Sequence, residues 1–442
     1  MKATAGTPLL VGEVFVDTTI TARGQENKLR LGGIAHAARG FWASGQPFRA
    51  AVIIPSYLEP LVRDYLTAFG CIDIQIIGDV TGAPNVTLIF DPTEIADQEY
   101  DTLLRDTKTV ELRYAEAAFE GVEDALIFPG SFSLSSVCSM LPPECRLHLD
   151  VAYDVADPAA LRQLSQPIAT IFFSTSSPLL AQCGGGTLDD VCSFLAPAKP
   201  HQLIYKENRG GAQLADLSGG EVELLPAQLG RTVNSVGVGD VFAAAYVANL
   251  SKGIAEAGWR ATYAAAAYSQ TTEPDLFKRY VSRAIALSLD EMRALGGTSL
   301  PWHERLKFPI YLAAPDFRDA DRSAIERALG ALSYHNFLVR RPILENGELP
   351  SESPPAVLAE TFRKDCQLLR ECSLVFAVPT GRDPGTLVEI GIAIEAGIPV
   401  VVYDPPRECN NTMVMAGSVE YSDDLDICLN AVFMALSLRR DQ

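Results

Sequence analysis

Short apolar runs alternate with amphipathic stretches along the chain, and this rhythm breaks once. Up to about residue 295 the strand candidates are PLLVGEVFVDTTI (8–20), RAAVIIP (49–55), DIQIIG (73–78), NVTLIFD (85–91), DALIFPG (124–130), RLHLDV (146–151) and ATIFFST (169–175), then QLIYKENRGG (202–211) and VELLPA (222–227). The first of these predicts a strand pair or a strand and turn. Helices are predicted between several of them, for example at YLEPLVRDYLTAFG (57–70) and PAALRQLSQ (158–166). Strands alternating with helices predict an α/β sheet. The break falls at ALGGTSLPWHERLKFP (294–309), which Gly296, Gly297, Pro301 and Pro309 punctuate. We place a linker at 299–307, between a unit of residues 1–298 and a unit of 308–442.

The rhythm then restarts. PIYLAAP (309–315) predicts a strand, DRSAIERALGALSYHN (321–336) a helix, ENGELPSESPPA (345–356) a loop and VLAETFRKDCQLLREC (357–372) a second helix. SLVFAVP (373–379) is a strand, and TGRDPGTLVEIGIAIEAG (380–397) leads through a loop and helix to the strand IPVVVYD (398–404). LSLRRDQ (436–442) ends a helix whose basic tip suits the negative end of the helix dipole.

Glu389 stands among Leu387, Val388, Ile390, Ile392, Ala393 and Ile394. A helix apolar on every side is normally buried, and a buried carboxylate needs a partner or a shifted pKa. The loop 381–386 falls beyond the carboxyl end of a strand, where open parallel sheets hold their ligands. Asp383 or Thr386 caps the helix, and Pro384 and Gly385 tighten the loop. Glu389 then lies in the first turn or so, where the helix dipole favours its ionised form. Spacing leaves two readings. Either Asp383 is only a cap and Glu389 pairs with an arginine, or the two carboxylates work together. In the second case one attacks an anomeric carbon and the other protonates or orients the leaving group.

The run IYLAAPDF (310–317) with DCQLLRECSLVFAVPTGRDPGTLVEIGIAIEAGIPVVVYD (365–404) resembles the nucleoside 2-deoxyribosyltransferase family. Its most specific part is Asp383-x-Gly385-Thr386-x-x-Glu389-x-Gly391-x-Ala393 before a proline-led strand. The resemblance implies a flavodoxin-like, doubly wound parallel sheet with Glu389 as nucleophile and Asp383 assisting at base and sugar. Tyr311 and Asp365 would join Gly385 and Thr386 around the substrate. Asn411, in NNTM (410–413), would match an Asn-x-Met that completes a neighbouring subunit's site, which implies a homo-oligomer. Cys372-Ser373 stands where the family often has Ala-Asp. The family also includes relatives that hydrolyse N-glycosides instead of transferring the sugar.

A second motif opens the alanine-rich helix in VNSVGVGDVFAAAYVANL (233–250). Gly237, Val238 and Gly239 can turn backbone N–H groups toward an anion at a helix N-terminus, and Asp240 can take a proton from a hydroxyl. On its own the motif is equally a plain helix start. With VGEVFVDTTI (11–20), LRLGGIAHAARGFWASG (29–45) and YKENRGGAQL (205–214), it resembles the ribokinase-like (PfkB) carbohydrate kinases over roughly residues 7–295. The resemblance implies that Asp17, Gly32 and Gly33 touch the phosphate acceptor. It also implies that 237–239 form the anion hole, that Asp240 is the base, and that ATP and Mg2+ are used. His36 stands where the family has asparagine and Asn234 where it has aspartate, and no Asn-x-x-Glu appears near 172–180. Phosphoryl transfer depends on positioned cations, so a kinase and a degenerate binding or sensing domain are both expected readings.

Composition narrows the classes. A net charge of −19 with no basic block speaks against non-specific nucleic-acid binding. A local phosphate pocket stays open, with Arg318, Arg322 and Arg382 as candidate cations. The apolar runs are far shorter than the roughly 20 residues that span a bilayer, and no signal-peptide pattern opens the chain. Nine scattered cysteines without a C-x-x-C pair point to reduced thiols in a cytoplasmic protein. His148, His201, His303 and His335 have no metal-pair spacing. The expected function is cleavage or transfer of an N-glycosidic bond in a nucleoside, nucleotide or related metabolite, with no cofactor for that half. The other half would bind, or phosphorylate, a sugar or nucleoside. The alternatives are a sensor–effector, in which a kinase-like half gates the glycosidase, and an active kinase with a binding-only C-terminal half.

Overall fold

The computed structural model describes residues 6–20, 26–97, 99–113, 119–151, 155, 157–316, 321–350 and 352–441. Contacts divide the chain into two compact units, Met1–Thr93 with Gln98–Ser299, and Glu94–Asp97 with Leu300–Gln442.

The larger unit carries a 13-stranded sheet among the described residues. Its strands are β1 (Leu9–Thr19), β2 (Lys28–Gly33), β3 (Phe48–Ile54), β4 (Cys71–Thr81), β5 (Val86–Ile89), β6 (Tyr100–Thr102), β7 (Thr109–Leu112), β8 (Asp124–Ile127), β9 (Arg146–Asp150), β10 (Ile168–Ser174), β11 (Gln202–Lys206), β12 (Ala212–Asp216) and β13 (Glu221–Leu225). Ten of them run in the order β13-β12-β11-β10-β9-β8-β1-β3-β4-β7, while β2 and β5 branch from β1 and β6 pairs with β5. Pairing is parallel from β11 to β4 and antiparallel at both margins. Every residue of β3 and β10 is buried, as expected of continuous apolar strands covered on both faces.

The stretch 8–20 holds one eleven-residue strand, not a strand pair or a strand and turn. Residues 9–13 of β1 pair with β3, and 14–19 pair with β2 in a smaller sheet that also takes β5. Gly12 allows the close approach of helix α1 (Ile34–Ala43), because a Cβ there would lie 2.6 Å from Ile34 Cγ2. Helices α2 (Val238–Asn249) and α3 (Ile254–Ser269) pack with α1 on an alanine-rich core.

His148 belongs to a buried polar row that crosses the parallel strands. It bonds Asp124 Oδ1 of β8 and Thr170 Oγ1 of β10, each at 3.1 Å. Thr170 donates to Gln202 Oε1 of β11 at 3.1 Å, and Tyr246 of α2 donates to the same oxygen at 2.7 Å. Matching these groups fixes strand register at little cost, since buried polar atoms are expensive only when unpaired.

The smaller unit contains β14 (Ile310–Ala313), β15 (Val339–Arg340), β16 (Leu374–Ala377), β17 (Val400–Tyr403) and β18 (Glu420–Ser422). All pair in parallel in the order β15-β14-β16-β17-β18. The second strand therefore lies outside the first, which is the flavodoxin-like order with its switch point between β14 and β16. Within 299–307, residues Trp302–Lys307 form a 3-10 turn. Arg305 there is fully buried, stacked between the Trp302 and Phe433 rings and donating to the carbonyls of Leu300 and His335. The loop expected at 345–356 is shorter. Its start belongs to α5 (Pro342–Asn346), which follows α4 (Ser323–Tyr334), and its end to α6 (Pro355–Arg370).

Burial pushes the Asp124 carboxyl up, but bonds from His148 and Arg146 outweigh it and hold the group at about 2. A carboxylate lowered in the folded state contributes stability that is complete above its unfolded pKa of about 3.9 and is lost as pH falls through the folded value. We expect Asp124→Asn to lower the urea midpoint at pH 7 and to make little difference near pH 2. An equal shift at both values would show that the effect is not electrostatic.

Candidate functional site

The carboxyl end of β16 leads into a tight turn at Thr380–Arg382, where Gly381 and Arg382 both have positive φ, 66° and 57°. Helix α7 (Pro384–Glu395) begins immediately after it. Asp383 is the cap: its Oδ2 accepts from Thr386 N at 2.7 Å and from Thr386 Oγ1 at 2.9 Å. Thr386 is buried in this role. The helix is not apolar on every side of the fold, because Val388, Gly391 and Glu395 face outward.

Glu389 is the sixth residue of α7, in its second turn and half-buried, just past the first turn where the helix dipole acts most strongly. Desolvation raises its carboxyl to about 7; a bond from Tyr311 pulls it down, and the charges of Asp365 and Asp383 push it up. Tyr311, on β14, donates its phenol to Glu389 Oε1 at 2.5 Å across the β14–β16 switch point. Burial, followed by the charge of Glu389, raises the Tyr311 phenol, so it stays a donor.

These groups open onto a cavity of about 480 Å³ between α6 and α7. Tyr311, Asp365 and Glu389 form its polar side, Phe362, Val388 and Ile392 form much of its apolar wall, and Gly385 lies at its edge. This is the usual recipe of a small-molecule site: apolar walls with a few convergent polar groups. Asp383 and Thr386 stand back as the helix cap. Asn411 caps α8 (Thr412–Gly417), accepting from Met413 N at 2.9 Å, and does not line the cavity. Arg322 forms ion pairs with Asp316 and Glu326, Arg382 is exposed, and Arg318 lies outside the described residues. Phe362 went unnoticed in the sequence because an aromatic on an amphipathic helix reads as core; here it is 55% exposed at the cavity.

The larger unit brings its motif residues together at the start of α2. Gly237, with φ 83°, lies against the His36 ring, where a Cβ would come within 2.2 Å. Gly32 lies equally close to the Asp17 carboxylate, and Gly33 precedes α1 with φ 59°. His36 is buried, with Nε2 2.8 Å from Asp17 Oδ2 and Nδ1 2.7 Å from Tyr268 OH. Burial, the largest influence, lowers the imidazole pKa. In the neutral ring Nε2–H donates to the carboxylate and Nδ1 accepts from the phenol. Arg30 bonds Asn234 and the carbonyl of Val236, and its Nε lies 3.8 Å from Asp17.

At the carboxyl ends of β11 and β9, Lys206 donates to Asp150 at 2.6 Å. The Lys206 amine sits 3.1 Å from where a Cβ on Gly239 would be. Asp240 is raised to about 7 by burial and the charges of Asp150 and Asp17, against Lys206 and Arg30. Asp150 and Tyr268 carried no sequence signal, and Arg30 and Lys206, though inside the quoted stretches 29–45 and 205–214, were not singled out there. Among the described residues, no group of three or more His, Cys, Asp or Glu is placed to hold a metal ion. All nine cysteines are free, and no described helix is long and apolar enough to cross a membrane.

The smaller unit is thus a parallel α/β unit with a tyrosine-bonded glutamate in a cavity at its switch point. Residues 310–421 match the family model of nucleoside 2-deoxyribosyltransferases, the resemblance read from the motif at 383–393. A search of the curated proteins returns no match. Solved structures similar to this chain include three kinases. Thermotoga maritima ribokinase is 14% identical, covering 64% of this chain and 99% of its own, with a TM-score of 0.47. Burkholderia thailandensis nucleoside kinase in complex with inosine is 15% identical, covering 63% and 97%, with a TM-score of 0.47. Arabidopsis thaliana ribokinase complexed with ribose and ATP is 14% identical, covering 64% and 100%, with a TM-score of 0.45.

Because Glu389 holds its proton up to about pH 7 in the fold but only to about 4.5 otherwise, its burial costs stability progressively as pH rises through that window. Glu389→Gln is therefore expected to be more stable than the parent at pH 8, with the gain shrinking toward pH 4. Unfolding midpoints at pH 5 and pH 8 check this, and a gain independent of pH would contradict it.

Proposed function

We propose that the smaller unit cleaves or transfers the N-glycosidic bond of a nucleoside, nucleotide or related metabolite. The observation that carries the reading is the Tyr311–Glu389 bond at the mouth of an apolar-walled cavity, within the span that matches the family. Tyr311 fixes Oε1, leaving Oε2 to attack the anomeric carbon. The C–N bond breaks, its electron pair leaves with the base, and a glycosyl ester forms on Glu389. Water then releases the sugar, or a second base accepts it. Asp365 would meet a hydroxyl or ring N–H of the substrate, and Asp383 holds the helix that presents Glu389. A carboxyl near 7 is poised for this cycle, since it ionises readily and is not trapped by solvent.

The larger unit would bind a small hydroxylated or phosphorylated ligand. The residues at 237–239, with Lys206 beside Gly239, suit a phosphate group. If ATP and Mg2+ bind, that turn and Lys206 would hold the phosphates, and the nucleotide would supply a phosphoryl group. Because His36 already occupies Asp17 from within the fold, we favour binding, and with it a sensor–effector role, over rapid kinase turnover.

Base release by chromatography, over nucleosides, deoxynucleosides, their monophosphates and NAD with and without ATP, tests the reading. Wild type should free a base, kcat/KM should rise with pH around a midpoint of about 7, and Glu389→Ala should lose about a thousandfold or more. Undiminished release by that variant would sink it.

A further inference from the structure

Asp365 faces the cavity from α6, and one of its oxygens is already held. Asn346 Nδ2 donates to Asp365 Oδ1 at 2.8 Å. A carboxylate only accepts, so the amide must turn its NH2 toward it. The donor comes from a braced segment. Arg340, at the end of β15, makes two bonds to Glu345, Nε to Oε1 at 2.7 Å and Nη2 to Oε2 at 2.5 Å. Such paired bonds between a planar guanidinium and a carboxylate fix geometry as well as energy. Arg341 Nε holds Asp316 Oδ2 at 2.8 Å. The five residues of α5 are thus pinned at their start and near their end, and Asn346 is the last of them. Gly347, with φ 87°, turns the chain away immediately after it.

We propose that Asn346 is a positioning residue, which locks the Asp365 carboxylate so that its second oxygen is presented to the substrate beside Glu389. The assignment rests on the glycosidic reading of the cavity. It identifies the group recognised by Asp365 as a hydrogen-bond donor, a sugar hydroxyl or a ring N–H, because Oδ2 has only lone pairs to offer. It also explains how two carboxylates can share one small cavity: Asp365 is tied back by an amide, Glu389 by a phenol, so neither swings onto the other. The influence of Asp365 on the Glu389 carboxyl is consistent with that proximity.

The test is a double-mutant cycle in the full chain. Asn346→Ala and Asp365→Ala are made singly and together, with Asn346→Ser, which keeps a short donor, as a check on folding. Nucleoside binding is measured by calorimetry in the Glu389→Gln protein, where turnover does not interfere, and KM and kcat are measured in the parent. Loss of one bond to a charged group predicts about tenfold weaker binding and about tenfold higher KM for Asn346→Ala, with kcat within about twofold. In the Asp365→Ala background, which removes the acceptor, the same change should have no further effect. Equal losses in both backgrounds, or no loss in either, would overturn the role of Asn346. Coupled binding without base release by the parent would instead retain Asn346 and remove the chemistry. No nucleoside binding at all would overturn both.

Discussion

A carboxylate drawn out of water and held by a single phenol is the constraint on which the smaller unit is organised. Glu389 cannot be solvated as on a surface, and the bond from Tyr311 only partly replaces that loss. The bond requires β14 and β16 to be adjacent, since one strand carries Tyr311 and the other feeds the helix of Glu389. It also requires α7 to start at a defined point, which the Asp383 cap and Pro384 provide. Sheet order, turn and cap converge on one oxygen–oxygen distance. That precision is costly in conformational entropy and is normal where a group must meet a ligand in one orientation.

The larger unit solves a related problem differently. Its Asp240 is also raised to about 7 beside a helix start, but the neighbouring charged groups are numerous and already hold partners within the fold. Asp17 is bonded by His36, Asp150 by Lys206, and Arg30 spans Asn234 and Val236. A ligand must compete with these existing bonds to enter the network, although Arg30 Nε is buried there without a hydrogen bond. The smaller unit's cavity instead sets apolar walls beside Tyr311, Asp365 and Glu389.

Much of this was legible in the chain. Strand and helix alternation, the cap chemistry of Asp383, the glycine turn before Asp240 and the Asp383–Glu389 spacing are local, and local chemistry is written in consecutive residues. The spacing also located the family-matched span. The sequence misjudged the environment of α7, since apolar residues on every side say nothing about which face finds a neighbour.

Tertiary structure alone decided the partners. Tyr311 and Glu389 are 78 residues apart, Asp17 and His36 are 19, and Lys206 and Asp150 are 56; no periodicity encodes such pairings. Asn346 was hidden in what read as a loop, and His148 in a strand that gave no hint of the row it joins. The sequence by itself determined the elements and the acids at their ends, because propensity and capping act over a few residues. The fold decided which acid loses its water and which donor it meets, because desolvation and hydrogen bonding depend on the strands brought side by side.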